Sequence, residues 1–187
     1  MTRIYRVHCV AAAVFAALCA LPAAAQTPKQ EERPKGPLSP TQNITATIGG
    51  KSVLMTYDAP SMRGREIFGK LVPYSVVWCP GANWATTITS NDAGIQIGSL
   101  KLPKGVYALW VLPNQDDWEL IVNSDAKAFH LDYKKDKDLG RMKLNLKQLD
   151  QPVEQLRFEV RPGSGNQGTL ALLWERTEAS VPLTIVP

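Results

Sequence analysis

Apolar and polar residues alternate along most of the chain from Thr41 onward, in short runs separated by turn residues. A period of two is typical of β-strands with one buried face, because successive side chains of a strand point to opposite sides of the sheet. The clearest runs are 142–146 and 156–160, and no amphipathic helix of useful length lies between the runs. The pattern predicts an all-β fold, an antiparallel β-sandwich of about nine to ten short strands, with a jelly roll as one arrangement it allows.

Two parts of this pattern are more specific. Residues 44–48 and 53–57 flank Gly49-Gly50, and glycine tolerates the positive φ that a tight hairpin turn requires. Residues 106–112 are apolar on both faces, which favours the most central strand. Shorter strands are expected at 76–78, 85–89 and 95–100.

The first 25 residues have the organisation of a secretory signal peptide. A basic start is followed by a short apolar run and by an alanine-rich cleavage site before Gln26. We therefore expect an exported protein, periplasmic or secreted, from which residues 1–25 are removed. Prolines and mixed charges predict a flexible linker at 26–40, and residues 41–187 are expected to form a single β-sandwich domain.

Removal of the predicted leader changes the net charge and the number of cysteines and histidines that remain. The leader contains two of the 21 basic residues and none of the 17 acidic ones, so the rest of the chain has a net charge of +2. This balance does not favour a nucleic-acid partner, which needs a basic face. Cys79 and His130 are the only cysteine and histidine after Gln26, which excludes an internal disulfide and a multi-histidine metal site. No apolar run after Gln26 is long enough to predict a membrane span.

Several sequence pieces carry a family resemblance. The first group is Tyr57-x-x-Pro60, Arg63-Gly64-Arg65-x-Ile67-Phe68-Gly69, Leu71-Val72-Pro73-Tyr74, Val77-Trp78 and Gly81-Ala82-Asn83-x-Ala85-Thr86-Thr87. The second is Leu102-Pro103-x-Gly105-x-Tyr107-x-Leu109, Trp118-x-Leu120-Ile121-x-Asn123, Asp138-Leu139-Gly140-Arg141 and Trp174-Glu175. In these pieces the chain resembles the bacterial family known as domain of unknown function 2911, over essentially the whole of the predicted domain. The resemblance implies an exported β-rich domain and brings no established activity with it.

The chain departs from the family pattern at two places. The usual forms have Arg-Thr after the tryptophan and Glu after Gly-Ala-Asn, whereas this chain has Cys79-Pro80 and Trp84. If the family site uses that arginine and glutamate as a pair, this chain has lost the pair.

Most of the unusual side chains fall in the predicted loops 58–70 and 78–87. Guanidinium groups bind carboxylate or phosphate bidentately, and exposed aromatic faces stack on sugar rings. We therefore predict a cleft between the two loops for a small anionic or sugar-like ligand. The predicted ligand-facing residues are Arg63, Arg65, Asn83 and Trp84.

Each of these residues also has an ordinary structural interpretation. Arg63 and Arg65 would then hydrogen-bond backbone carbonyls or pair with Asp58 and Glu66, since surface arginines are usually structural or solvated. Trp84 would pack into the core. Both interpretations stay open at this point.

No constellation of acid, base and nucleophile can be assembled, so no catalytic residue is predicted and a non-catalytic binding or envelope-interaction domain is favoured. Cys79 would need His130 as its base, from a different loop and without a recognised signature around either residue. The aspartates at 132–138 alternate with lysines at spacings that do not fit a calcium loop, and no metal or cofactor is expected. Two alternatives remain: a hydrolase that uses a carboxylate of Asp58 or Glu66, and a structural, oligomeric protein without a small ligand.

Overall fold

A computed structural model describes residues 39–186, so the predicted leader and nearly all of the predicted linker lie outside the described residues. Within this range the chain forms nine strands, and every strand pairing is antiparallel. The all-β antiparallel class predicted from the alternation is confirmed. The strands are β1 (Thr41–Ile48), β2 (Lys51–Asp58), β3 (Thr86–Ser90), β4 (Gly94–Ile97), β5 (Leu100–Leu102), β6 (Gly105–Leu112), β7 (Trp118–Asn123), β8 (Asp138–Pro162) and β9 (Gln167–Val186), with one 3₁₀ turn at Lys135–Lys137.

The strands are hydrogen-bonded in the order β1-β2-β3-β6-β7-β8-β9-β4-β5. The β4–β5 hairpin leaves the chain between β3 and β6 and joins the sheet on the far side of β9. β1 also lies against β8 and β9, so the sheet curves back on itself around one main core. Across that core, Tyr57 of β2 packs edge-to-face on Phe158 of β8 at 5.1 Å. The Phe158 amide N–H donates to the Tyr57 hydroxyl at 3.2 Å, which links the two layers by a hydrogen bond as well.

β6, which the sequence predicts as the most central strand, is an interior strand that pairs with β3 on one side and β7 on the other, and β7 is the middle one of the nine strands. Tyr107 and Leu109 face the main core, whereas Trp110 points to the opposite face of the sheet. There it packs with Cys79 and Ile121 in a smaller apolar cluster. Because both faces of β6 are covered, its sequence shows a continuous apolar run instead of an alternation.

The Gly49-Gly50 hairpin is also as predicted. Ile48 pairs directly with Lys51, so the turn contains two residues, and the φ values of Gly49 and Gly50 are 54° and 74°. Two successive positive φ values define the primed turn whose twist matches that of the flanking strands.

Two strands, β8 and β9, are longer than the alternation predicts. Runs 142–146 and 156–160, which read as separate short strands, are both parts of β8. The pairing with β9 shifts register between Gln148 and Val153, and the residues between them stay extended. The polar interruption therefore marks a bulge within one strand and not a turn between two.

Two other strand predictions were wrong in detail. The strand expected at 76–78 is reduced to an isolated bridge between Trp78 and Val111. The strand expected at 95–100 is two strands, β4 and β5, separated by a turn in which Gly98 has a φ of 56°. Apolar spacing alone shows neither the turn at 98–99 nor the loss of regular pairing at 76–78.

Candidate functional site

The loop between β2 and β3 begins with a segment, residues 59–72, that is held against β9 by the carboxylate of Glu175. The two oxygens of Glu175 accept hydrogen bonds from the amide N–H groups of Ile67 and Phe68, at 3.1 and 3.3 Å. Glu175 has a φ of 53°, a left-handed conformation that few non-glycine residues adopt. The contact joins two sequence pieces of the family resemblance that lie more than 100 positions apart along the chain.

The start of the same loop is tied to β8. Both Met62 and Arg63 donate their amide N–H to Glu154, the first to its carbonyl and the second to its carboxylate, each at 2.8 Å. The guanidinium of Arg65 then closes the turn, since Nε donates to the Met62 carbonyl at 2.9 Å and Nη2 to the Ser61 carbonyl at 2.8 Å. Among residues 39–186 no carboxylate lies within ion-pair distance of Arg65.

An aromatic cluster lies beneath the two loops. The rings of Trp78 and Trp174 are stacked at 5.8 Å with an angle of 16° between their planes. Phe68 contacts both of them edge-on, and it contacts Trp118 at 4.5 Å. Trp174 is buried and Trp78 is half-buried, so the cluster belongs to the core but keeps one indole partly accessible.

The second loop, residues 79–85, is positioned by Asp58 at the end of β2. The Asn83 amide donates to Asp58 Oδ2 at 2.9 Å, and the Thr41 hydroxyl donates to Asp58 Oδ1. Asn83 has a φ of 58°, a conformation that asparagine tolerates better than most residues. A Cβ at Gly81 would lie 2.8 Å from Thr86 Oγ1, so the loop approaches β3 too closely for a larger residue.

Between these loops lies a cavity of about 420 Å³. The ionisable residues of its lining are two arginines and one histidine, and no carboxylate of the described residues contributes to it. Such a lining favours an anion, because the charged side chains in it are the two arginines. The lining residues are Ser39, Pro60, Ser61, Arg63, Arg65, Leu71, Val72, Trp78, Gly81, Ala82, His130, Leu131 and Trp174.

The four predicted site residues are placed unequally. Arg63 and Arg65 line the cavity, whereas Asn83 and Trp84 lie beside it. Arg65 also satisfies the structural interpretation, because it hydrogen-bonds two backbone carbonyls. Trp84 is 64% exposed, so the alternative that it packs into the core was wrong.

A third segment, residues 129–131, completes the cavity. The sequence alone does not connect this segment with the site. His130 and Leu131 line the cavity, and the His130 amide N–H donates to the Asn83 carbonyl at 3.0 Å. Beside them the Phe129 ring lies edge-on to Trp84 at 5.9 Å. From the sequence, His130 is only a candidate base for Cys79. Its pairing with residue 83 is a long-range contact that leaves no local pattern in the sequence.

This third segment is held by a network around Asp138. Its carboxylate accepts hydrogen bonds from the Tyr133 hydroxyl at 2.6 Å, from Arg141 at 2.9 Å and from the buried Asn123 at 2.9 Å. Burial and the Asp138 carboxylate raise the pKa of Tyr133 to about 12. The charged residues after β7 thus serve to fold the loop. In the described part of the chain, no three His, Cys, Asp or Glu side chains are grouped as metal ligands.

Cys79 does not have the environment of a nucleophile. It is 1% exposed, and burial raises the pKa of its thiol to about 11. A reactive cysteine needs the opposite, a lowered pKa and access to solvent. The Cys79 thiol lies 3.8 Å from the Trp84 carbonyl, so the two positions at which this chain departs from the family pattern are neighbours in space.

The comparisons with known proteins agree with the resemblance stated above. A family model described as protein of unknown function (DUF2911) matches residues 39–183, which is more than half of the chain. The chain belongs to this family. Comparison with curated proteins and with solved structures finds no match for this DUF2911 chain. Within residues 39–186 no helix has the length and apolar character needed to cross a membrane.

Proposed function

We propose that this DUF2911 protein is a binding domain for a small anionic ligand, such as a carboxylate- or phosphate-bearing molecule or an acidic sugar. The observation that carries the proposal is the cavity beside Arg63, Arg65 and His130, whose lining contains no carboxylate. We further propose that the protein acts outside the cytoplasm, in the periplasm or the medium, as its predicted leader at 1–25 indicates.

The arrangement of the cavity supports ligand binding more than catalysis. Arg65 is held in place by its contacts to two carbonyls, which reduces the entropy lost when it binds an anion. Trp78 offers a partly exposed indole stacked on Trp174, which would cover an apolar or sugar face of the ligand. The carboxylates that a hydrolase would use are elsewhere, since neither Asp58 nor Glu66 lines the cavity.

A thermal-shift series tests the proposal. The chain is expressed with its own leader in a bacterial host and screened against phosphate, small carboxylates, uronic acids, sugar phosphates and the matching neutral sugars. An anion at 100 times its dissociation constant is expected to raise Tm by roughly 5–10 °C. Neutral sugars are expected to give no comparable shift, and equal shifts with neutral and acidic sugars would contradict an anion site.

Arg65→Gln is the informative variant, and Arg176→Gln is its matched control. Arg176 also donates to two backbone carbonyls, those of Leu149 and Asp150, but it does not line the cavity. Loss of a charge-assisted hydrogen bond of about 1.5–3 kcal/mol is expected to weaken anion binding about 10- to 100-fold in Arg65→Gln. Arg176→Gln is expected to bind as the unchanged protein does. Equal weakening in both variants would assign the effect to general destabilisation.

A further inference from the structure

Four large apolar side chains are exposed at the cavity or beside it. Leu71 and Leu131 line it and are 46% and 74% exposed. Phe129, 38% exposed, lies edge-on to the ring of His130 at 4.5 Å, and Trp84 adjoins Phe129. We refer to Leu71, Trp84, Phe129 and Leu131 as the apolar rim.

Backbone hydrogen bonds fix the position of most of the apolar rim at the surface. The segments that carry Trp84, Phe129 and Leu131 are paired across two loops, with the Ala85 amide N–H donating to the Ala128 carbonyl at 2.9 Å. Trp84 and Phe129 form an isolated antiparallel bridge in the same pairing. Single exposed apolar residues are ordinary on a protein surface, whereas a contiguous group marks a surface that meets something apolar.

The charges at the same opening are positive. Arg63 and Arg65 line the cavity together with Leu71 and Leu131 of the rim, and both arginines are exposed. Glu154 accepts the Arg63 amide N–H, and Glu66 and Asp132 lie next to the rim along the chain, but none of these three acidic residues lines the cavity. The opening therefore combines a cationic cavity with an aromatic and aliphatic edge. That combination matches the boundary of an anionic bilayer, where phosphate headgroups meet acyl chains.

We propose that the apolar rim and the cavity dock on the surface of an anionic lipid bilayer. One lipid phosphate group enters the cavity beside Arg63 and Arg65, and the rim side chains enter the interfacial layer around that lipid. Tryptophan favours this layer because its ring is apolar and its N–H is polar. The inference rests on the proposed anion site and names the source of the anion.

Vesicle co-sedimentation tests the docking. The chain, expressed with its own leader, is mixed with vesicles of phosphatidylcholine alone or of phosphatidylcholine and phosphatidylglycerol in equal parts. The test variant is Trp84→Ser with Leu131→Ser. The control is Val106→Ser with Leu139→Ser, which removes two apolar side chains, 48% and 43% exposed, that do not line the cavity.

We expect binding to the phosphatidylglycerol vesicles, much weaker binding to phosphatidylcholine alone, and a blue shift of tryptophan emission on binding. Removal of two inserted apolar side chains is expected to lower partitioning at least about tenfold, with no such loss in the control pair. Arg65→Gln is expected to reduce the preference for phosphatidylglycerol.

Three results would overturn the proposal. Equal binding to both vesicle types would show that the protein does not recognise the anionic headgroup. Absence of vesicle binding by a protein whose Tm still rises with glycerol phosphate would reject the membrane and leave the soluble anion site intact. A dimer in sedimentation velocity that Trp84→Ser with Leu131→Ser converts to a monomer, without vesicle binding, would assign the rim to a second copy of the chain.

Discussion

At the scale of the residue, Glu175 connects β9 to the loop that follows β2. Its carboxylate satisfies two amides of the loop that forms one wall of the cavity, from a backbone conformation with positive φ. We expect Glu175→Ala to lower the free energy of unfolding by about 2 kcal/mol, because two hydrogen bonds to a charged acceptor are lost and the backbone strain remains. Urea denaturation measures this change.

The companion variant Glu175→Gly separates the two contributions at this position. Glycine loses the same carboxylate but adopts a positive φ without strain, so it is expected to be about 1 kcal/mol more stable than the alanine variant. Equal stabilities of the two variants would show that the backbone conformation at 175 costs nothing. A change below about 0.5 kcal/mol in Glu175→Ala would contradict the role given to the carboxylate.

At the scale of the element, the β1–β2 hairpin offers a matched pair of substitutions. Both turn glycines have positive φ, so alanine at either position strains the backbone. A Cβ at Gly49 would also lie 2.1 Å from Asn166 Oδ1, whereas a Cβ at Gly50 meets nothing within 4 Å. We expect Gly50→Ala to cost about 1 kcal/mol and Gly49→Ala roughly 1 kcal/mol more, measured by thermal unfolding. The same cost at both positions would mean that Asn166 moves aside freely.

Elements with a strong local signal were predictable from the sequence. The Gly-Gly hairpin, the doubly buried β6 and the antiparallel class follow from periodicity and turn chemistry, which act over a few residues. The length of β8 was not predictable, because a bulge and a turn interrupt the alternation in the same way.

The candidate site was predictable only in part, for a related reason. Arg63 and Arg65 stand out because of their charge within one loop. His130 joins them through a hydrogen bond to the Asn83 carbonyl, a pairing of distant segments that local sequence does not encode. In the sequence Glu175 is only the last residue of the Trp174-Glu175 piece, and its contact with residues 67 and 68 gives that piece a physical meaning.

At the scale of the whole molecule, the groups with raised pKa values predict how stability depends on pH. Burial raises the pKa of the Cys79 thiol to about 11 and, with the Asp138 carboxylate, that of Tyr133 to about 12. The pKa of Tyr57 is also raised by burial. Each group is neutral when protonated. Because its pKa is higher in the folded protein, the group loses its proton at a lower pH in the unfolded state than in the folded state. The stabilisation is complete below the unfolded pKa values and is lost as the pH rises through the folded ones.

Cys79→Ala isolates the share of the thiol in this alkaline loss. With an unfolded pKa of about 8.5 and a folded value of about 11, the thiol removes about 1–2 kcal/mol of stability between about pH 8 and pH 10. The variant is expected to show a correspondingly shallower decline in urea midpoint over this interval, whatever its stability at pH 8, since alanine does not titrate. The decline that remains in the variant, steepening above pH 10, belongs to the tyrosines and to Lys134, whose pKa is raised by its hydrogen bond to Asp125. Parallel declines in the two proteins would mean that the thiol exchanges with water through an open loop 79–85, and the same opening would then expose the wall of the cavity.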